Sequence, residues 1–100
     1  VFIEVAKKIN TSNLYDWENK QIFPLSYEAL DAIIYTLSFK ESEQFLHKNT
    51  LEYTFTIDNI GRYSLYDSKQ LLVYSDLSLV QVNGLRIMLE QAKIKTYGWN

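Results

Sequence analysis

Cysteine is absent from this chain. Disulfides, thiolate metal sites and cysteine nucleophiles go with it, and redox chemistry gives no clue to the compartment. Histidine occurs once, at His47. A lone histidine beside Lys48 suits a structural place in a strand better than general-base work. Histidines and carboxylates at metal-ligand spacing are also missing. The three glycines lie far apart, so no glycine-rich loop cradles a phosphate. No apolar run approaches the roughly 20 residues that a membrane span needs. No signal-peptide pattern opens the chain, so Asn10-Thr11-Ser12 reads as a chance glycosylation sequon. Asp16 and Glu18 are close in sequence, but a turn or capping role is simpler than an acid–base pair. The chain reads as a non-enzyme without metal or cofactor.

A basic surplus is lacking too: the net charge is −2. Proteins that hold nucleic acid mainly through phosphate charge are usually basic, so a purely electrostatic mode is disfavoured. Stacking on aromatic rings is not. Aromatics are what the chain has in plenty, at 15% with eight tyrosines. Tyrosine joins an apolar body to a polar tip and suits strands and contact surfaces. With 47% hydrophobic and 22% charged residues, the composition is that of one folded domain over residues 1–100.

The chain is organised around residues 15–37. Tyr15-Asp16-Trp17-Glu18 is an acidic-aromatic turn, and residues 19–25 read as a strand with Pro24 at its end. Ser26 stands where a helix N-cap belongs. Leu25 and Leu30 have the spacing of a hydrophobic staple. Leu30, Ile33, Ile34 and Leu37 repeat at i, i+3, i+4, i+7 and predict a buried face on a helix over 27–38. Upstream, residues 1–6 are β-branched and read as a strand, followed by a polar loop over 7–13. Lys7 and Lys8 in it are simplest as a solvated pair.

Downstream, residues 43–47 read as a strand. Residues 51–57 alternate Leu51, Tyr53, Phe55 and Ile57 with Glu52, Thr54 and Thr56, a period of two. Asp58-Asn59-Ile60-Gly61 is turn chemistry. Strands over 62–66, 70–74 and 77–82 continue the meander. Asn83 is expected to cap a second helix over about 84–96, with Leu85, Met88, Leu89 and Ala92 inward. Gly98 is the expected stop, with Trp99 packing back on the body. Each half is then a sheet closed by a helix. The first half holds two strands and the second about four, which suggests that the first has lost an opening hairpin. The missing initiator methionine fits that expectation.

Tyr15-Asp16-Trp17-Glu18, then Gln21, Phe23, Leu25, Ser26 and Glu28, resemble the segment of the Whirly family that leads through a strand into its first helix. Ser42-Glu43-Gln44-Phe45-Leu46-His47 is similar to a later family segment, and Gly98-Trp99-Asn100 to its close. The resemblance implies an α+β, Whirly/PC4-like fold of two antiparallel sheets packed by two helices. Family members form tetramers and bind single-stranded DNA with little sequence demand. Kinetoplastid mitochondrial guide-RNA-binding proteins share the fold and bind RNA. The family's lysine-rich motif on an earlier strand has no match here. It lies upstream of Val1, comes from another chain, or is absent.

Two functions follow as expectations. One is non-enzymatic binding of single-stranded RNA or DNA in a mitochondrion or plastid. Its contacts would be Trp17, Lys20, Tyr53, Phe55, Arg62, Tyr63, Tyr66, Lys69 and Tyr74, rings for bases and cations for phosphates. Tyr53 and Phe55 share the apolar face of their strand and compete with core packing for that role. The other is a structural subunit of a large organellar ribonucleoprotein, such as a mitochondrial ribosome, acting through protein contacts. Oligomerisation with like or unlike chains is expected under both, and membrane contact under neither. A small protein-interaction domain without nucleic acid is a third reading.

Overall fold

A computed structural model describes residues 1–7, 9 and 14–98. The Asn10-Thr11-Ser12 sequon, Lys8, Trp99 and Asn100 lie outside the described residues. The order of elements is β1 (Phe2–Val5), a 3-10 turn (Trp17–Asn19), β2 (Gln21–Pro24), α1 (Tyr27–Ser38), β3 (Gln44–Lys48), β4 (Tyr53–Asp58), β5 (Arg62–Asp67), β6 (Gln70–Asp76) and α2 (Leu79–Tyr97). The strands form two antiparallel sheets, β1-β2 and β3-β4-β5-β6. This is the expected α+β plan of two sheets and two helices.

Helix α1 forms where its sequence signals place it. The Ser26 hydroxyl accepts the Ala29 N–H at 3.2 Å, satisfying a free donor of the first turn. Leu30, Ile33 and Leu37 are buried along one stripe. Leu25 is buried just before the cap, and Phe23 of β2 is fully enclosed. The Phe23 ring meets Phe55 of β4 at 5.7 Å between centroids, so the core begins where the two sheets face each other.

Helix α2 starts earlier than expected. Residues 77–82 are not a strand, and Asn83 is not a cap but sits inside the helix. The cap is Ser78, in a reciprocal box with Gln81: Gln81 N–H donates to Ser78 Oγ at 3.2 Å and Ser78 N–H to Gln81 Oε1 at 2.8 Å. The alternating Leu77-Ser78-Leu79 pattern resembles a strand, but the box supplies the helix nucleus. Val82 and Leu89 are the buried residues of α2. Met88, expected inside, is 69% exposed. Gly98 ends the helix with a left-handed φ of 78°.

Strand β4 begins later than expected. Leu51 and Glu52 belong to the turn before it, with Glu52 at φ 70° and Leu51 exposed. Asn49 organises that turn. Its Oδ1 accepts the N–H groups of Leu51 and Tyr53 at 3.1 and 3.0 Å. Its Nδ2 donates to the carbonyl of Ile22 on the other sheet at 3.0 Å. One buried side chain thus closes a turn and ties the two sheets together.

The helices are joined by a cluster of polar and aromatic groups. Lys93 of α2 donates to Asp31 of α1 at 2.7 Å. The same ammonium lies 5.4 Å from the centre of the Tyr27 ring. Tyr97 meets Tyr27 edge-on at 4.9 Å. The hydrogen bond that Lys93 donates to the Asp31 carboxylate raises the Lys93 pKa above its ordinary value, against the opposing pull of burial. At the far end, Gly61 holds φ 95°, and a Cβ there would stand 2.7 Å from the Leu77 carbonyl and 2.8 Å from the Val82 side chain. Gly61 therefore lets the β4–β5 turn touch the entry of α2, an approach fixed by the Leu77 N–H bond to the Gly61 carbonyl at 2.8 Å.

Candidate nucleic-acid interface

Alternation along the strands sorts the expected contact residues onto opposite faces. The register pairs Thr54 with Tyr66, Thr56 with Ser64, and Ser64 with Tyr74. These residues share the outer face of the four-stranded sheet. With Gln44, Leu46, Asp58, Arg62 and Ser68 they line a shallow hollow of 530 Å³. Its floor is hydroxyl-rich, and its rings are Tyr66 and Tyr74, the latter 59% exposed. A β-bulge between Leu65 and Tyr66 increases the local twist beside them.

The same alternation turns Tyr53, Phe55 and Tyr63 inward. Phe55 is 4% exposed and packs on Phe23, so it has no face for a base, and its expected role as a contact is corrected. Tyr53 and Tyr63 are half-buried against the core on that inner side. The reason is the period of two: once Ile57 and Phe55 are core, Tyr53 follows them. Trp17 opens the 3-10 turn, 54% exposed, with Tyr15 at 6.2 Å between ring centres. It borders a separate apolar groove beside β1 and α2. Lys20 is bound to Glu4 at 3.1 Å, on the two-stranded sheet.

The structure therefore brings Arg62, Tyr66 and Tyr74 together and sets the other expected contacts elsewhere. Lys69 stands in the exposed turn between β5 and β6. Sequence reading missed Thr54, Thr56, Ser64 and Gln44. The signal was present, since the threonines are the other half of the alternation that located Phe55.

The charge on this face is balanced. Arg62 Nε lies 3.7 Å from Asp76 on the neighbouring strand. Asp58 accepts the N–H groups of Ile60 and Arg62 at 3.1 and 3.0 Å. Lys48 pairs with Glu52. Thr56 and Ser64 lie buried in the floor, so ring stacking is the interaction the face offers first, with phosphate attraction second. Among the described residues, no group of three or more His, Asp or Glu is arranged to hold a metal, and no helix is long and apolar enough to cross a membrane.

A model of the Whirly transcription factor family matches residues 1–58, from β1 to the end of β4. No curated protein and no solved structure matches the chain. The matched part carries the acidic-aromatic turn, the Ser26 cap and the strand that opens the hollow. With more than half its length matched and two sheets joined to two helices, this chain belongs to the Whirly family, a non-enzymatic family of single-stranded nucleic-acid-binding proteins.

Proposed function

We propose that the outer face of the β3–β6 sheet binds single-stranded RNA or DNA in an organelle, a mitochondrion or plastid. Bases stack on Tyr66 and Tyr74. The Thr54 hydroxyl and the Gln44 amide pair with base edges or sugars, and Arg62 and Lys69 meet phosphates. The observation that carries this reading is the pairing of an exposed tyrosine, Tyr74, with Ser64 in a polar hollow that also holds Tyr66 and Arg62. Every base has a π-face, so such a platform accepts many sequences. Titrating the protein's tyrosine and tryptophan fluorescence with oligo-dT and oligo-U tests it. Saturable quenching by either at moderate salt supports the reading, and no quenching by both removes it.

A second reading is favoured by α2. Val80, Ile87 and Ile94 recur every seventh residue on one side of α2 and are 80%, 49% and 37% exposed, an apolar stripe suited to protein contact. A homo- or hetero-oligomer, or a structural subunit of an organellar ribonucleoprotein such as a mitochondrial ribosome, would cover it. Under that reading the chain sediments as an assembly and fails to retain short oligonucleotides.

A further inference from the structure

The four-stranded sheet ends on β3, and among the described residues no strand lies beside its outer edge. Asn49 N–H donates to the Tyr53 carbonyl at 3.0 Å, and Asn59 N–H to the Glu43 carbonyl at 3.2 Å. Antiparallel ladders alternate, so Glu43, Phe45, His47 and Asn49 turn their backbone groups toward β4. Gln44, Leu46 and Lys48 turn theirs outward. Lysine on an edge ordinarily discourages pairing. Here Lys48 stands at the end of the strand and pairs with Glu52. The N–H and carbonyl groups of Gln44 and Leu46 thus face an open side.

That side is a groove of 730 Å³ between β3 and α1. Five successive residues, 43–47, border it. Side chains alternate along a strand, so a groove touched by five in a row runs along the backbone edge. Its other wall is one face of α1, with Glu28, Asp31, Ala32 and Tyr35 at i, i+3, i+4 and i+7. Tyr35 is 53% exposed, and its ring centre lies 4.7 Å from that of Phe39. Asn59 fixes one end of the groove. Its Oδ1 accepts the Glu43 N–H at 3.4 Å, and its Nδ2 donates to the Phe39 carbonyl at 3.2 Å.

The charge of this groove has one sign. Glu28, Asp31 and Glu43 line it, and no lysine or arginine does. Asp31 is bound to Lys93 of α2, but no ion pair joins Glu28 or Glu43 to a cation among the described residues. His47 is engaged with the Pro24 carbonyl at 2.8 Å. We infer that the groove docks an extended basic segment of another polypeptide. It adds to β3 as a strand and sets alternate Lys or Arg side chains against Glu28, Glu43 and the Tyr35 ring. Edge and charge select that occupant together. The open edge offers a row of hydrogen bonds that another backbone fills. The carboxylates attract cations and repel phosphate, so nucleic acid is turned away. This chain carries −2 overall, so a second copy gains no charge match. The groove lies round the β3 edge from the face proposed for nucleic acid, and only Gln44 and Leu46 border both.

The test is amide hydrogen exchange by NMR on the full chain, with a blocked Thr-Arg-Val-Arg-Val-Arg-Thr peptide as probe. The Gln44 and Leu46 amides should slow about tenfold at about 1 mM peptide. The same peptide with Glu in place of Arg should give no protection. Glu28→Gln with Glu43→Gln keeps both side-chain shapes and should reduce the protection at least about threefold, and added salt should reduce it too. Leu46→Pro removes an N–H that β4 does not use, and should abolish protection while the Phe45 and His47 amides stay slow. Five results would overturn the assignment. They are no slowing by the probe, equal slowing by the Glu peptide, slowing unchanged in the double Gln variant, equal slowing by oligo-dT, or slowing that grows with protein concentration in the chain alone, which would make the occupant a second copy.

Discussion

His47 Nε2 lies 2.8 Å from the carbonyl oxygen of Pro24, across the gap between the two sheets. A carbonyl only accepts, so the ring must donate, which fixes Nε2 as protonated. The lone histidine is therefore a brace. It spans from β3 to β2 alongside Asn49, and stacks on Phe45 at 5.9 Å.

Removing the brace should loosen the junction without unfolding either sheet. Asn49→Ala strands the N–H groups of Leu51 and Tyr53 and should cost about 2–3 kcal/mol, and His47→Ala about 1–2 kcal/mol. Urea denaturation reads both. The double variant should cost less than the sum, because either loss lets the other bond fray.

The glycines should separate cleanly. Gly61→Ala forces a Cβ against the Leu77 carbonyl at a positive φ, and should destabilise by more than about 1 kcal/mol. Gly84→Ala has open space in the middle of α2 and should stabilise by up to about 1 kcal/mol. Thermal melts of the two variants should shift in opposite directions.

The aromatic residues should divide by face. Tyr74→Ala and Tyr66→Ala should each lose about 1–3 kcal/mol of oligonucleotide affinity with little change in stability. Phe55→Ala should instead lose about 3–5 kcal/mol of folding stability. If Tyr74→Ala binds oligo-dT and oligo-U as tightly as the parent, the outer face is not the platform.

Binding should depend weakly on salt. If Arg62 and Lys69 are the two cations that meet phosphate, the slope of log affinity against log salt should be about −1.4 for a single strand, at about −0.7 each. Fluorescence titrations at several salt concentrations measure it. A slope several times steeper would place the strand on a different surface.

The Lys93–Asp31 pair predicts an alkaline effect. Its hydrogen bond raises the folded-state pKa of Lys93 above the ordinary 10.5. A raised lysine pKa adds stability that is whole below the unfolded value and is lost as pH rises through the folded one. The parent should thus lose, above pH 10.5, a component that Lys93→Met lacks throughout. The difference between the stability–pH curves of the two proteins is the readout.

Much of this fold is legible in local signals. Ser26 and the stripe from Leu30 to Leu37 announce α1, since a cap and a period agree. The start of α2 is harder, because Leu77, Leu79, Val80 and Val82 carry strand propensity. The Ser78–Gln81 box that overrides it is a side-chain bond, visible in sequence only as a four-residue spacing. The interface is legible in half. Alternation says that Thr54 and Phe55 oppose each other, but which face becomes core depends on what packs there. That is set by Phe23, more than thirty residues away in the chain. The ion pair Arg62–Asp76 and the apolar groove beside β1 and α2 depend on how strands and helices pack, which no local pattern encodes.

Occupied carbonyls on β2 also bear on how the molecule behaves when crowded. A ribbon of stacked chains grows only if each copy can bind on both sides of the same sheet. Here His47 and Asn49 hold the two outward carbonyls of β2 and Pro24 has no N–H to offer, so this side of the first sheet is a poor template for a further strand.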